Sequence, residues 1–179
     1  FIQHDIVNPQ SPKSAIGYIV EALALRRKQG LKAFTVLSCD NVRENGHVAK
    51  AAVLGLAATR DPQLADWIAA HVTFPCTMVD RIVPAATDEA LAQIAGQLGV
   101  YDPCAIACEP FRQWVIEDNF VNGRPDWDRV GAQFVEDVVP FEMMKLRMLN
   151  GSHSFLAYLG YLGGYETIAD TMTNPAYRN

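Results

Sequence analysis

The feature that most constrains this chain is a switch in its hydrophobic rhythm. Up to about residue 129, helical stretches alternate with short apolar runs; from Val130 onward the pattern turns helical. After a polar loop over residues 1–12, Ser14 precedes a helix over 15–29, with Gly30 as its stop. Residues 32–39 form a short apolar run that suits a buried strand. Helices follow at 48–58 and 61–71, a strand at 72–82, a helix at 88–98 and a strand at 113–116. Residues 141–161 read as one long helix. Such alternation predicts an α/β domain with a largely parallel sheet, over residues 1–137. A helical domain is then expected to start at residue 138.

Charge and composition exclude several functions. The 179 residues carry a formal net charge of -5 with no basic run, which argues against a nucleic-acid surface. No apolar run approaches the ~20 residues of a membrane span. The longest, Phe155 to Tyr165, is broken by three glycines. Cys39, Cys76, Cys104 and Cys108 form neither a CxxC pair nor a zinc spacing, so reduced thiols in a cytoplasmic protein and no metal site are expected.

Three segments carry polar chemistry. Ser38-Cys39-Asp40-Asn41 follows the first strand, where ligands bind in open α/β sheets. Asp40, Asn41 or Asn45 could equally cap the next helix. The segment from Val72 to Pro84 again ends in polar residues, and Asp80 with Arg81 reads there either as a site or as a structural ion pair. Third, Glu142, Lys145, Asn150 and His153 fall within an arc of ~140° on an α-helical wheel. A solvated polar face is the alternative, weakened because Asn, Gly and Ser inside a helix are poor helix formers.

These segments also resemble a known family. Lys145-Leu-Arg-Met-Leu-Asn150-Gly-Ser-His153 is similar to the Lys-x4-Asn-x2-His signature of the polyol-specific long-chain dehydrogenases, which include mannitol dehydrogenases, fructuronate reductases and tagaturonate reductases. Thr77-Met-Val-Asp-Arg-Ile-Val-Pro84 resembles the family's Val-Asp-Arg signature, and Glu109-Pro-Phe-Arg-Gln-Trp-Val-Ile-Glu-Asp118 is a third match. The resemblance runs from about Ala15 onward.

The resemblance implies the C-terminal part of a Rossmann-like NAD-binding domain followed by the start of an all-helical domain. It implies NAD-dependent, metal-independent hydride transfer at a secondary alcohol of a small sugar acid or polyol. Lys145 would be the acid–base, Asn150 and Asn41 the oxyanion donors, His153 the holder of substrate hydroxyls and Glu142 a gate for proton exchange. Val79 and Asp80 would lie near the nicotinamide with Asn41. The segments around Glu109 and Lys145 are closest to bacterial fructuronate reductases, which implies D-fructuronate and D-mannonate, with mannitol/fructose or tagaturonate as alternatives. A Rossmann-like interaction module without catalysis is the reading from a different class. Members of the family are much longer, and no GxGxxG occurs here, so the chain reads as an excerpt that lacks the dinucleotide loop.

Overall fold

A computed structural model describes residues 1–178, in two compact units, Phe1–Glu136 and Asp137–Asn179. The first unit opens with a short helix α1 (Ile2–Val7) where a loop is expected. Asp5 explains it. This buried carboxylate accepts bonds from the Lys13 amide (2.7 Å), the Ser14 amide (3.0 Å) and the Ser14 hydroxyl. The N-terminal residues are thereby tied to the start of α2 (Ala15–Lys28). Ser14 caps α2 as expected, its side chain accepting from the Gly17 amide, and Gly30 takes the left-handed φ of 68° that lets the chain leave the helix.

Next come α3 (Asn45–Arg60) and α4 (Pro62–His71), which begins at the expected Asp61–Pro62 break. Asp61 caps α4 by accepting from the Gln63 amide, and Pro62 fills a first-turn position that needs no N–H. Val20 and Leu23 of α2, Val53 and Ala57 of α3, and Leu64 and Ile68 of α4 meet Ala33, Val36, Val72 and Phe74 in one buried cluster. Each fully buried Leu, Val or Ile contributes about 1.5–3 kcal/mol relative to exposure. This cluster therefore holds the extended segments in place.

The sheet differs from expectation in three ways. First, residues 32–39 form no regular ladder, although Ala33 and Val36 are buried. Among the described residues they make one backbone bond to their neighbour, Val36 N to Thr73 O at 3.0 Å. Side chains take other places: the Thr35 and Thr73 hydroxyls pair at 3.0 Å, and Asn122 donates to Ala33 O. Second, the strand expected over 72–82 shortens to β1 (Thr77–Asp80). Third, the sheet is mixed rather than largely parallel. β2 (Gln113–Glu117) runs antiparallel to β1, pairing Thr77 with Ile116 and Asp80 with Gln113. β3 (Gln133–Val135), a strand where a helical pattern is expected, runs parallel to β2.

The antiparallel pair has a visible cause. The connection through α5 (Asp88–Leu98) returns beside its own start: Glu109 N donates to Ile82 O at 3.1 Å, and Ile82 N donates to the Glu109 carboxylate at 2.7 Å. The chain thus re-enters the sheet at the end it left. Alternating elements specify order along the chain, not strand direction.

The second unit is helical from 139 to 162 but not as one α-helix. α6 (Val139–Met144) passes into a π turn over Lys145–Asn150, and α7 (Gly151–Leu162) follows. Gly151 N donates to Leu146 O, five residues back, which defines the wider turn. α8 (Ile168–Thr171) starts with a reciprocal capping box between Thr167 and Asp170. It packs against α7 at Gly160, where an added Cβ would lie 2.1 Å from Thr171 Oγ1. A last short helix, α9 (Pro175–Arg178), places Tyr177 edge-on to Tyr165.

Candidate active site

In the first unit, two polar segments end side by side. The extended run delivers Asp40 and Asn41 to a turn, both exposed; β1 delivers Val79 and Asp80, both half-buried. Asp40, Asn41 and Asn45 do not cap α3. The residue before that helix is Glu44, in left-handed conformation with no side-chain capping bond. Nor do Asp80 and Arg81 form an ion pair among the described residues. The Arg81 guanidinium instead donates to Glu109 O at 2.9 Å.

Asn45, the first residue of α3, is 1% exposed and points into the protein. Its Nδ2 donates to Asp40 O (2.9 Å), Thr77 O (3.0 Å) and Thr77 Oγ1 (3.0 Å). Its Oδ1 accepts from Thr77 N at 2.9 Å, and the Thr77 hydroxyl donates to Ser38 O at 2.7 Å. Sequence reasoning considered Asn45 only as a helix cap. The one local signal was an Asn-Gly pair at a helix start, and Gly46 is needed there: a Cβ would lie 2.4 Å from Phe74 O. Desolvation pushes the Cys39 thiol in this turn above its ordinary value, with a Thr77 hydrogen bond opposing it. A raised thiol is the opposite of what a nucleophilic cysteine needs.

The edge is polar and placed to meet a ligand. It combines an amide, a carboxylate and an apolar side chain at the carboxyl ends of adjacent extended segments, where open α/β sheets bind ligands.

In the second unit, Lys145 opens the π turn and Asn150 closes it. An i→i+5 turn brings residues five apart nearer to one side, so these two lie closer around the axis than the ~140° of an α-helix. The α-wheel spacing used for the sequence therefore fails here. π turns inside α-helices recur at functional sites, because the extra residue re-aims side chains. Lys145 is half-buried, Asn150 exposed and Glu142 buried.

His153 Nδ1 lies 3.0 Å from Leu149 O. A carbonyl can only accept, so Nδ1 carries the proton. In the neutral ring Nε2 is then the acceptor. The Ser152 hydroxyl donates to Met148 O in the same i→i−4 manner. Both bonds go to carbonyls of the π turn itself. Among the described residues, no three His, Cys, Asp or Glu side chains gather as a metal-binding group. No helix of these residues is long and apolar enough to cross a membrane.

The Mannitol dehydrogenase Rossmann domain family matches residues 7–129, and the Mannitol dehydrogenase C-terminal domain family matches residues 137–179. The chain is 86% identical to D-mannonate oxidoreductase of Escherichia coli (strain K12) over 99% of its own length and 36% of that protein. A solved D-sorbitol dehydrogenase in substrate-free form superposes with a TM-score of 0.93 at 45% identity, over 99% of this chain and 37% of that one. Pseudomonas fluorescens mannitol 2-dehydrogenase, solved as a ternary complex with NAD and D-mannitol, gives 0.85 at 50% identity, over 99% of this chain and 36% of that one. This chain belongs to the mannitol dehydrogenase family, with a Rossmann-domain portion followed by a helical C-terminal portion. It spans a little over a third of the length of these relatives.

Proposed function

We propose that the protein is an NAD-dependent oxidoreductase that interconverts D-fructuronate and D-mannonate, with Lys145 as a metal-independent acid–base. The substrate rests on one observation, the 86% identity to a D-mannonate oxidoreductase across nearly the whole chain. The mechanism rests on the Lys145–Asn150 turn and its resemblance to the family signature.

The nicotinamide, when bound, supplies or accepts the hydride. Asn41, Val79 and Asp80 are the residues of the first unit that would hold its reacting end. Lys145 moves the hydroxyl proton: its amine takes it as the alcohol is oxidised, and its ammonium returns it in reduction. Asn150 offers an amide N–H to the oxygen on which negative charge develops. His153 presents Nε2 to a substrate hydroxyl, because Nδ1 is committed to Leu149 O. Glu142, one turn before Lys145 and buried, passes protons between Lys145 and water.

A substrate panel with NADH tests the reading. The whole protein should reduce fructuronate with a higher kcat/KM than tagaturonate or fructose. A preference for fructose would assign it to the mannitol 2-dehydrogenase class, in line with its 50% identity to the structure containing D-mannitol.

A further inference from the structure

We infer that Asn45 and Thr77 are positioning residues: a buried polar clamp that locks the Asn41 turn to β1, so that Asn41, Val79 and Asp80 meet the cofactor as one rigid edge. The inference rests on the functional reading above. Asn45 is 1% and Thr77 2% exposed, so neither is available to a ligand. Their bonds go to the backbone of Ser38, Asp40 and Thr77, just before Asn41 and two residues before Val79.

The pattern fixes which atoms donate and which accept, the two Nδ2 hydrogens being shared among three acceptors. Ser38 O, Asp40 O and Thr77 O can only accept, and Thr77 N can only donate. The Asn45 amide is thus oriented without ambiguity, and the Thr77 hydroxyl must give its proton to Ser38 O while accepting from Nδ2. Every side-chain polar atom of the pair is used. Such networks are costly when half-made, and complete ones specify a single geometry. Gly46 adds a steric stop: with a Cβ position only 2.4 Å from Phe74 O, the start of α3 lies against the segment that leads into β1. Simple cohesion needs none of this, since an apolar pair of the same shape would pack as well.

Thr77→Val and Thr77→Ser test the clamp in the whole protein. Valine keeps the shape and removes the hydroxyl; serine keeps the hydroxyl. The readouts are NADH affinity by nicotinamide fluorescence, steady-state kinetics and thermal unfolding. Thr77→Val should weaken NADH binding by about tenfold, the loss expected for one buried hydrogen bond. KM for the sugar substrate should stay within about twofold, and Thr77→Ser should recover most of the affinity. If Thr77→Val does not fold, Thr77→Ala, which also lacks the hydroxyl, is judged by the same split. Wild-type NADH affinity and kcat in a hydroxyl-less variant would overturn the clamp, even with a lowered Tm, and leave the functional reading standing. Failure of Thr77→Ser to recover affinity would also overturn it, because volume rather than hydrogen bonding would then matter. A wild-type protein that neither binds NADH nor reduces any of the three sugars would sink the functional reading itself.

Discussion

The two regions that carry the candidate site are built in opposite ways. Around Asn41, Val79 and Asp80, position comes from long-range contacts: Asn45 reaches 32 residues along the chain to Thr77, and Thr77 reaches 39 back to Ser38. Around Lys145, Asn150 and His153, the bonds made by Gly151, Ser152 and His153 are local, each reaching four or five residues back along one helix. The first design suits a fixed edge that receives a large, rigid ring. The second gathers the groups proposed to handle protons on one element, where a single extra residue per turn re-aims them. Substitutions in the first region should therefore act on binding and stability, and those in the second on turnover.

The sharpest contrast comes from Lys145→Ala. It should lower kcat by roughly 10²–10⁴-fold, the usual contribution of a positioned proton-transfer group. It should also remove one ionisation from the pH–rate profile of alcohol oxidation while hardly moving Tm. Near-normal turnover with an unchanged profile would make Lys145 a surface lysine. Asn150→Ala should cost about 10²–10³-fold in kcat, as for loss of one oxyanion donor, but keep that ionisation. Loss of the ionisation as well would mean that the two residues do not have separate roles.

Gly46→Ala sits on the other side of the comparison. Its Cβ would strike the backbone at Phe74 and Pro75. Denaturant unfolding should show destabilisation of about 1–3 kcal/mol, the usual cost of overpacking. A stability equal to wild type would show that the start of α3 is free to shift.

The smallest effect is expected at Asp5, far along the chain from both regions. The Ser14 hydroxyl, and then the Lys13 and Ser14 amides, hold its carboxyl well below the ordinary range against the opposing effect of burial. A depressed carboxylate stabilises the fold above its unfolded pKa of about 3.9 and loses that contribution as pH falls below it. Wild type should therefore lose stability below about pH 4 more steeply than Asp5→Asn, which should be the less stable of the two at pH 7. Parallel acid-unfolding curves would contradict the assignment.

Much of this was readable from local order. Ser14, Gly30, Asp61–Pro62 and the helix at Asp88–Leu98 are announced by their own side chains, because caps and stops act within one turn. The spacing of Lys145, Asn150 and His153 stands in the sequence as a motif. The π turn beneath it does not, since its bonding follows from strain and packing that no periodicity records. The helix α1 was hidden for a similar reason: its anchor, Asp5, finds partners eight and nine residues ahead.

The sequence by itself determined most of the helices and the caps and stops that bound them, because these depend on propensity and on residue type. Tertiary structure alone decided that β1 and β2 run antiparallel, that residues 32–39 join no ladder, and that Asn45 faces inward to Thr77 instead of capping its helix. Each of those depends on a partner distant in the chain. A buried amide or carbonyl takes whichever partner the fold brings within about 3 Å, and that choice is made only when the core closes.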